Sequence, residues 1–515
     1  MPSYLSPGVY VEEVESGSRP IEGVGTSVAA FVGFAQKGPF DEPTLITNWS
    51  QYVSTFGDFV DGTYLATSVY GFFSNGGGIC YVVRIGDGSS ASGDGETGEL
   101  APGAEVQVGP YAVKPRPGVA GEISVEVTAA EGDDPPSDTF QLIVRRDGQV
   151  AETYPSVTTK RSKENVATRV NAKSELIELR EPGRGAAPAR PEPQTVTLAP
   201  AAPADPAAGG AGALAPEVYV GDADSRTGLG GLEAVEDITM IAVPDLMSAY
   251  QRGLLDLESV IAVQQGVISH CELMGDRVAI LDPPPGLSAQ QARTWRTDRA
   301  NFDSKYATLY YPWISVADPA SGRPSLVPPS GHIAGVWARN DDTRGVHKAP
   351  ANEVVRGAVA LQTQLTKGEH DLLNPIGLNC IRAFPGRGIR VWGARTLASD
   401  PAWRYLNVRR LFNYLEESIL AGTQWVVFEP NDDALWARVR RTVSAFLVNE
   451  WRKGSLFGLT PDEAFYVKCD RETNPPESID AGQVVCEIGV APVKPAEFVV
   501  FRLAQLTGGT GGIDE

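Results

Sequence analysis

Apolar residues follow two different spacings along this chain, and together they predict a mixed fold. Short apolar runs rich in β-branched residues, at 28–34, 79–85 and 238–243, are typical of buried strands. From 254 to 274 apolar residues recur every three or four positions, which predicts a helix. From residue 236 onward strand-like and helix-like segments alternate, and this order predicts a mostly parallel sheet covered by helices. The expected fold class of this part is α/β.

The last third of the chain predicts an α+β arrangement. An apolar helical stripe runs over 406–419, and the apolar segment 424–428 has the composition of a strand. Asn431 is a suitable cap for a second helix that reaches to about residue 451. Two more strands are expected within 464–469 and 482–490.

Composition changes on either side of residues 105–182. The segment 86–104 is rich in Gly, Ser and Asp, and 183–216 consists mostly of Ala, Pro and Gly, so neither can bury enough apolar surface to fold alone. Between them lie short alternating segments with a hairpin turn signal at Asp147-Gly148. We therefore expect a small β-rich domain inserted into a larger domain, because insertions are tolerated at exposed loops.

Bulk composition restricts the classes of function. A length of 515 residues predicts two to four domains, and 21% charged residues are ordinary for a soluble globular protein. The formal net charge of −20 argues against a nucleic-acid partner, since phosphate binding relies on Lys and Arg. No run of about 18 apolar residues and no signal-peptide pattern is present, so we expect assembly in the cytoplasm without membrane insertion.

Residues with catalytic or metal-binding potential are few and scattered. The five cysteines form no CxxC pair, so buried free thiols in a reducing cytoplasm are expected and no zinc site is. No GKS or GKT phosphate loop is present, so a nucleotide cofactor is not expected. No cofactor or metal of any kind is therefore predicted.

Two short segments invite comparison with serine proteases. Gly25-Thr26-Ser27 resembles the serine turn of subtilisin-like enzymes, and Ser330-Gly331-His332 loosely resembles their histidine motif. A triad is recognised by geometry, but here no acidic residue lies in a matching context. The favoured interpretation is structural: Ser330 caps a helix and His332 packs or hydrogen-bonds in its first turn. No catalytic residue is predicted, and a serine hydrolase of α/β, subtilisin-like fold stays as an alternative.

Three segments, in order along the chain, resemble contractile tail sheath proteins. The block Pro328 to Asp341 with Arg344 to Glu353 is similar to that family's signature; 4–14 resembles its opening and 422–431 a later motif. The stretch from about 86 to 221 has no such likeness. The resemblance implies a non-enzymatic structural subunit with a subtilisin-like core, which polymerises in many copies around an inner tube and contracts to drive the tube into a target.

Composition and resemblance together divide the chain into eight parts. They are an N-terminal arm (1–20), the first part of the core (21–85), a linker (86–104), an inserted β-rich outer domain (105–182), an Ala/Pro/Gly linker (183–216), the α/β sheath core (217–384), a C-terminal α+β sheath domain (385–494), and a C-terminal arm and tail (495–515).

Both ends of the chain carry strand-like sequence beside turn or flexible residues. The N-terminal set is Val9, Tyr10 and Val11, and the C-terminal set is Phe498, Val499, Val500 and Phe501. An unpaired strand can add to the sheet of another chain through main-chain hydrogen bonds. The resemblance implies that these arms lace each subunit to its neighbours, whereas the alternative is pairing within their own domain.

The helix expected after Asn431 carries Arg438, Arg441 and Arg452 on the side opposite its apolar stripe. A solvated face is the default interpretation of such charges. Sheath proteins hold the tube through a helix of the C-terminal domain, so the resemblance makes this helix a candidate for the tube contact. It also implies baseplate and cap proteins as partners, in a phage tail or an injection particle that is released or retained. A static surface-layer or capsid protein is the second alternative.

Overall fold

The computed structural model describes residues 20–86, 214–317 and 322–502, and within the middle of the chain 106–108, 111–115, 123–129, 139–146, 149–160, 165–174, 176–180, 191 and 194–198. The chain divides into two compact units. One combines residues 1–85 with 213–515, and the other comprises 86–212.

The described strands, in chain order, are β1 Val28–Gly33, β2 Thr44–Ile46, β3 Ile79–Arg84, β4 Val106–Val108, β5 Tyr111–Pro115, β6 Ile123–Ala129, β7 Thr139–Arg146, β8 Gln149–Thr158, β9 Ile177–Arg180, β10 Gln194–Leu198, β11 Met240–Ala242, β12 Val278–Leu281, β13 Ala307–Tyr311, β14 Ile314–Ala317, β15 Pro324–Val327, β16 Ala358–Leu361, β17 Leu378–Phe384, β18 Gly388–Val391, β19 Phe465–Lys468 and β20 Glu487–Val490.

The described α-helices are α1 Trp49–Phe56, α2 Leu65–Asn75, α3 Val166–Lys173, α4 Pro216–Val220, α5 Asp245–Gln251, α6 Leu257–Met274, α7 Ala289–Thr294, α8 Ser330–Arg344, α9 Lys367–Leu373, α10 Leu406–Thr423, α11 Asp433–Arg452, α12 Pro461–Ala464 and α13 Pro476–Asp480.

An eight-stranded sheet forms the centre of the larger unit, in the order β18-β17-β13-β12-β11-β1-β3-β2. The six inner strands pair in parallel, and only the two edge strands β2 and β18 pair antiparallel. The predicted mostly parallel sheet with helices is therefore confirmed. Its strands read as continuous apolar runs because both faces of the sheet are buried.

Alternate residues of the central strands point to opposite faces of this sheet. Ala29 and Phe31 of β1 share one hydrophobic cluster with Phe72 of α2 and with Ile333 and Trp337 of α8. Helices α5 and α6 contact strands of the same sheet, β1 and β12 respectively. The signature segment that begins at Pro328 thus supplies a helix of the main core.

Glycines allow α2 and α8 to approach unusually closely. A Cβ atom added at Gly331 or Gly335 of α8 would lie closer than 3.0 Å to backbone atoms of Ser68 or Phe72, and one added at Gly71 would meet the ring of His332. Real Cβ atoms do not come this close to backbone, so these positions require glycine. The glycines of the signature segment therefore allow α8 to pack closely against α2.

The C-terminal part of the larger unit contains α10 to α13 and a two-stranded antiparallel sheet of β19 and β20. Leu435, Val439, Val443 and Phe446 of α11 are buried in a cluster that also includes Leu411 of α10. The prediction of a strand at 424–428 is wrong, because Gln424–Val426 forms a short 3₁₀ turn between α10 and α11.

The smaller unit is β-rich. It has a four-stranded antiparallel sheet in the order β10-β6-β7-β8, a three-stranded sheet in the order β4-β5-β9, and helix α3. Its buried side chains, including Val125, Leu142 and Val170, form a cluster of their own.

Candidate assembly surfaces

A buried ion pair joins the α/β core to the C-terminal part. Arg410 of α10 donates from Nη1 to Asp341 Oδ1 at 3.0 Å and from Nη2 to Oδ2 at 2.6 Å, and both side chains are 3% exposed. Thr26 adds a hydroxyl hydrogen bond of 2.8 Å to the same carboxylate, and the Arg410 guanidinium lies over the Trp337 ring. A two-bond guanidinium–carboxylate contact fixes orientation as well as distance. It therefore ties α10 to α8 in one relative position.

A second ion pair clamps the start of the C-terminal arm. Arg395 donates from Nε and Nη2 to the two carboxylate oxygens of Glu497, at 2.9 and 2.6 Å, and Asn374 donates to Oε1 at 2.7 Å. Burial raises the pKa of Glu497, but the hydrogen bonds from Arg395 and Asn374 outweigh it and leave this pKa below its usual value. The carboxylate therefore stays ionised and the backbone at residue 497 is fixed.

Four apolar residues follow directly after this clamp and remain in solvent. The side chains of Phe498, Val499, Val500 and Phe501 are between 69% and 85% exposed, and the segment belongs to no strand. Such a run of exposed apolar residues is typical of surfaces that bind a partner. The N-terminal counterparts Val9, Tyr10 and Val11 lie outside the described residues.

The two-stranded sheet of β19 and β20 has an open edge on each side. In the part of the chain that the structure describes, no third strand pairs with either of them. One face packs on α11, whereas Tyr466 on the other face and the nearby Phe457 and Leu459 are exposed. An open strand edge beside apolar side chains is a template for another strand.

The three arginines predicted to face a tube do lie on helix α11, but they are not equivalent. Arg438 pairs with Glu429 at 2.8 Å and lies over the Trp425 ring. Arg441 and Arg452 are exposed, and neither has a hydrogen bond or an ion pair to any other described residue. They are separated by 11 positions, about 16 Å along the same helix face. The charge available to a partner is therefore carried mainly by these two.

The structure places the histidine segment, with Ser330 and His332, in the interior of the larger unit. His332 is buried against Gly71, and burial lowers the pKa of His332 to about 4. Within the described residues no hydrogen bond joins it to Ser27. The expectation that Ser330 caps α8 is wrong, since Pro329 occupies the cap position. The Ser330 N–H instead donates to Asp282 Oδ1, 3.0 Å away at the end of β12.

The described ranges contain neither a metal-binding cluster nor a membrane-spanning helix. No group of three or more His, Cys, Asp or Glu side chains there is arranged to hold a metal ion. No helix there combines the length and the apolar character that a bilayer crossing needs.

Neither ion pair was predictable from a local pattern in the sequence. Asp341 lies inside the signature segment, so it was visible as a motif residue, but its partner is 69 positions away. The Arg395–Glu497 pair spans 102 positions, and no local pattern signals it.

Comparison with known families agrees with this architecture. The model of the phage tail sheath protein central domain matches residues 231–397, and that of the phage tail sheath C-terminal domain matches residues 398–505. Together the two matched regions cover more than half of the chain. Asp341 lies in the first region and Arg410 in the second, so their ion pair joins the two. The chain belongs to the phage tail sheath protein family, a family of structural tail proteins. The expected tail sheath function is confirmed at this level, and neither alternative is supported.

Individual relatives differ in how much of the chain they match. The tail sheath protein of Burkholderia phage BcepMu is 24% identical over 96% of this chain and 95% of its own length. That of Vibrio phage KVP40 is 28% identical over 48% of this chain, and the match spans 35% of the phage protein. For Enterobacteria phage T4 the match is 24% identical and spans 40% of the phage protein. The match thus covers well under two thirds of two of these relatives.

Solved structures share the fold over nearly the whole chain. The PVC sheath complex of an extracellular contractile injection system, in its contracted state, has a TM-score of 0.57 at 23% identity and covers 98% of this chain and 99% of its own. The helical sheath of the anti-feeding prophage in its contracted state has a TM-score of 0.58 at 24% identity, with 97% and 99% covered.

Proposed function

We propose that this chain is the sheath subunit of a phage-tail-like contractile injection system. Many copies polymerise around an inner tube made of a different protein, and contraction of the array drives that tube into a target. One observation carries the proposal: a run of four exposed apolar residues, Phe498 to Phe501, projects from a clamped root at Glu497. A chain that functions as a monomer gains nothing from such an arm.

The arms link the copies by strand addition. The backbone groups of 498–501 need hydrogen-bond partners wherever the arm becomes buried. The open edges of β19 and β20 offer such partners, and the exposed Tyr466, Phe457 and Leu459 offer apolar contact beside them. In this proposal the arm of one copy, and Val9 to Val11 of another, extend the two-stranded sheet of a neighbour.

Helix α11 faces the tube. Arg441 and Arg452 present unpaired positive charge from a chain whose formal net charge is −20. An acidic tube surface would attract this helix face and would be repelled by most of the remaining surface. The charge pattern thus supports an orientation of the subunit in which α11 faces the tube.

Contraction moves each subunit as a rigid body. The buried Asp341–Arg410 pair supports this view, because it fixes the core and the C-terminal part in one relative position. The arms then keep neighbours connected while the bodies slide. The work comes from stored conformational energy and the chain is not an enzyme. The core is of the subtilisin-like type that the resemblance implies, assembly takes place in the cytoplasm, and baseplate and cap proteins bind at the two ends.

Strand addition by the arm can be tested with a backbone substitution. Val500→Pro removes an N–H donor and fixes φ, so it blocks ladder formation whichever side chains dock. Val500→Ala trims the same side chain and keeps the donor. Negative-stain microscopy should show long hollow cylinders for the unaltered chain, fewer or shorter ones for Val500→Ala and none for Val500→Pro. Unaltered protein that stays monodisperse at every concentration, with and without the tube protein, contradicts the proposed function.

A further inference from the structure

Two of the five cysteines face each other across the β19–β20 sheet. The last regular pair of this antiparallel ladder is Lys468 with Glu487, and one further step places Cys469 opposite Cys486. The two thiols lie close enough for each to shift the pKa of the other. In the sequence they are separated by residues 470–485, a segment that includes α13, so no spacing motif signals the pair.

The hydrogen-bond pattern of the ladder defines how closely these residues approach. The Ala491 N–H donates to the Ala464 carbonyl, which makes that pair a hydrogen-bonded one. Pair types alternate along an antiparallel ladder, so the pair five steps further on, Cys469 and Cys486, is non-hydrogen-bonded. Opposed Cα atoms in such pairs lie about 4.5 Å apart, within the range of about 4.4–6.8 Å that disulfides span.

The segment between the two cysteines holds the strand ends in place. Asn474 receives a hydrogen bond from the Val485 N–H at 2.6 Å and donates to the Val485 carbonyl at 2.9 Å. Its Nδ2 also lies 3.9 Å from the Cys469 sulfur. One side chain therefore bridges this segment beside both cysteines and keeps the register.

Solvent reaches Cys486 more easily than Cys469. Cys469 is buried and Cys486 is only partly buried, on the sheet face that packs with Val467 and Ile488 against the C-terminal core. The other three cysteines, Cys80, Cys271 and Cys380, are all buried. A small oxidant therefore reaches the Cys486 sulfur first.

We propose that Cys469 and Cys486 are an oxidation site that hydrogen peroxide converts to an intrachain disulfide. The Cys486 thiolate attacks one peroxide oxygen, the O–O bond breaks, a sulfenic acid forms and hydroxide leaves. The Cys469 thiolate then attacks the Cys486 sulfur and displaces a second hydroxide. The two protons given up by the thiols convert both hydroxides to water. Two electrons pass from the cysteines to the peroxide, and the new S–S bond closes the segment 470–485 into a covalent loop.

The surroundings of the pair make this reaction slow at neutral pH. Burial and the neighbouring Cys469 raise the pKa of Cys486 to about 12, while Arg440 of α11 acts in the opposite direction and Glu487 adds to the rise. Burial also raises the pKa of Cys469. Because only the thiolate reacts, the rate should increase about tenfold per pH unit well below this pKa. The pair thus stays reduced in a reducing cytoplasm and oxidises gradually outside it.

The test uses the purified full-length chain and hydrogen peroxide, with thiols counted after denaturation. Two of the five thiols should disappear, faster at pH 9 than at pH 7. Arg471 lies between the two cysteines, so trypsin separates them and the disulfide appears as a cross-linked peptide pair that a reductant dissolves. An unchanged count of five thiols after prolonged exposure at pH 9 overturns the proposal. So does a disulfide that joins other cysteines or two chains.

Three cysteine variants serve as controls for the peroxide experiment. Cys469→Ser and Cys486→Ser should each prevent any intrachain disulfide, whereas Cys271→Ala should still lose two thiols. Oxidation should raise the urea midpoint of the unaltered chain and leave that of Cys486→Ser unchanged.

A further consequence rests on the proposed function: because β19–β20 is the sheet that receives the arms, oxidised cylinders should resist dissociation by urea longer. The thiol count needs no assembly, so a failure to form cylinders counts only against the proposed function.

Discussion

Arg410 and Asp341 meet in a fully enclosed two-bond contact, with N–O distances of 3.0 and 2.6 Å. The helices that carry them, α10 and α8, fall in the two regions matched by separate family models. Loss of one partner from a buried pair leaves an unpaired charge in an apolar site, which costs about 3–5 kcal/mol.

Arg410→Met should therefore lower the free energy of unfolding by about 3 kcal/mol or more. Urea unfolding followed by tryptophan fluorescence measures this change, because Trp337 lies under the guanidinium. The exposed pair of Arg471 with Asp433 provides the control, and Arg471→Met should leave the midpoint where it is. Equal midpoints for both variants would show that the buried pair does not hold the two parts together.

Gly335→Ala should destabilise the α2–α8 contact. The added methyl group would collide with the Phe72 carbonyl oxygen, and overpacking of this kind costs about 1–3 kcal/mol. Gly368 of α9 is the matched control, since a Cβ there meets no atom within 4 Å. Gly368→Ala should be neutral or slightly stabilising because alanine favours the helix. Thermal unfolding of both variants gives the comparison, and similar melting temperatures would contradict the close-packing argument.

Glu497→Gln should loosen the root of the arm without unfolding the core. The variant loses the charge that Arg395 contacts, so opening of residues 495–502 should become easier by about 1–3 kcal/mol. Amide hydrogen exchange at residue 497, whose N–H donates to the Pro495 carbonyl at 3.0 Å, measures the opening. The pKa of Glu497 is lowered in the folded chain, so its contribution is present above the ordinary carboxylate pKa and disappears as the pH falls through the lower folded value. Exchange that is equally slow in variant and parent would exclude the clamp.

Asp282 should make the folded chain less stable as the pH rises from 5 to 8. Burial raises the pKa of Asp282 to about 7, although hydrogen bonds from Ser330 oppose this. The folded state then holds a proton that the unfolded chain has released, so stability is greatest at low pH and falls as the pH rises through 7. Asp282→Asn should flatten this dependence by about 2–4 kcal/mol over the range. Urea unfolding at several pH values tests it, and parallel curves for the two proteins would refute it.

Asp256→Asn serves as the control for the pH experiment. Asp256 caps α6 through the Ser259 N–H, and this hydrogen bond lowers the pKa of Asp256. Its folded and unfolded values both lie below pH 5, so its replacement should leave the slope between pH 5 and 8 unchanged.

Charge reversal on α11 should weaken binding to the inner tube. Arg441→Glu with Arg452→Glu removes both unpaired arginines of the proposed tube face, so the amount that co-sediments with tube protein should fall at least tenfold. Arg293→Glu changes an exposed arginine of α7 and should have little effect. The parent's binding should also weaken with added salt. Tube binding that survives the double reversal would assign the contact to another surface.

The sequence predicted the central sheet well because its strands are buried on both faces and read as unbroken apolar runs. The same logic failed at 424–428, where the apolar residues form a short turn and Phe428 is fully exposed with a φ of 67°. Local composition cannot distinguish a buried strand from an exposed apolar loop, because that difference depends on what packs against it.

The helical placement of the candidate arginines was predictable from the sequence, whereas their contacts were not. Arg438 shares its helix face with Arg441, and periodicity placed both correctly on α11. Its partner Glu429 lies in the preceding loop, and helical spacing carries no information on loop conformation. The Cys469–Cys486 pair depends in the same way on strand register, which the cysteine positions alone do not define.

The ion pair at Glu497 is also the point at which the C-terminal arm is anchored to its own subunit. Each residue after Glu497 adds at most about 3.4 Å to the reach of the arm, and this reach is measured from the contact with Arg395. In the proposed array, two subunits joined by this arm could rotate and slide within that radius. Separation beyond it would put tension on the Arg395–Glu497 contact, so this contact would be the first to break under load.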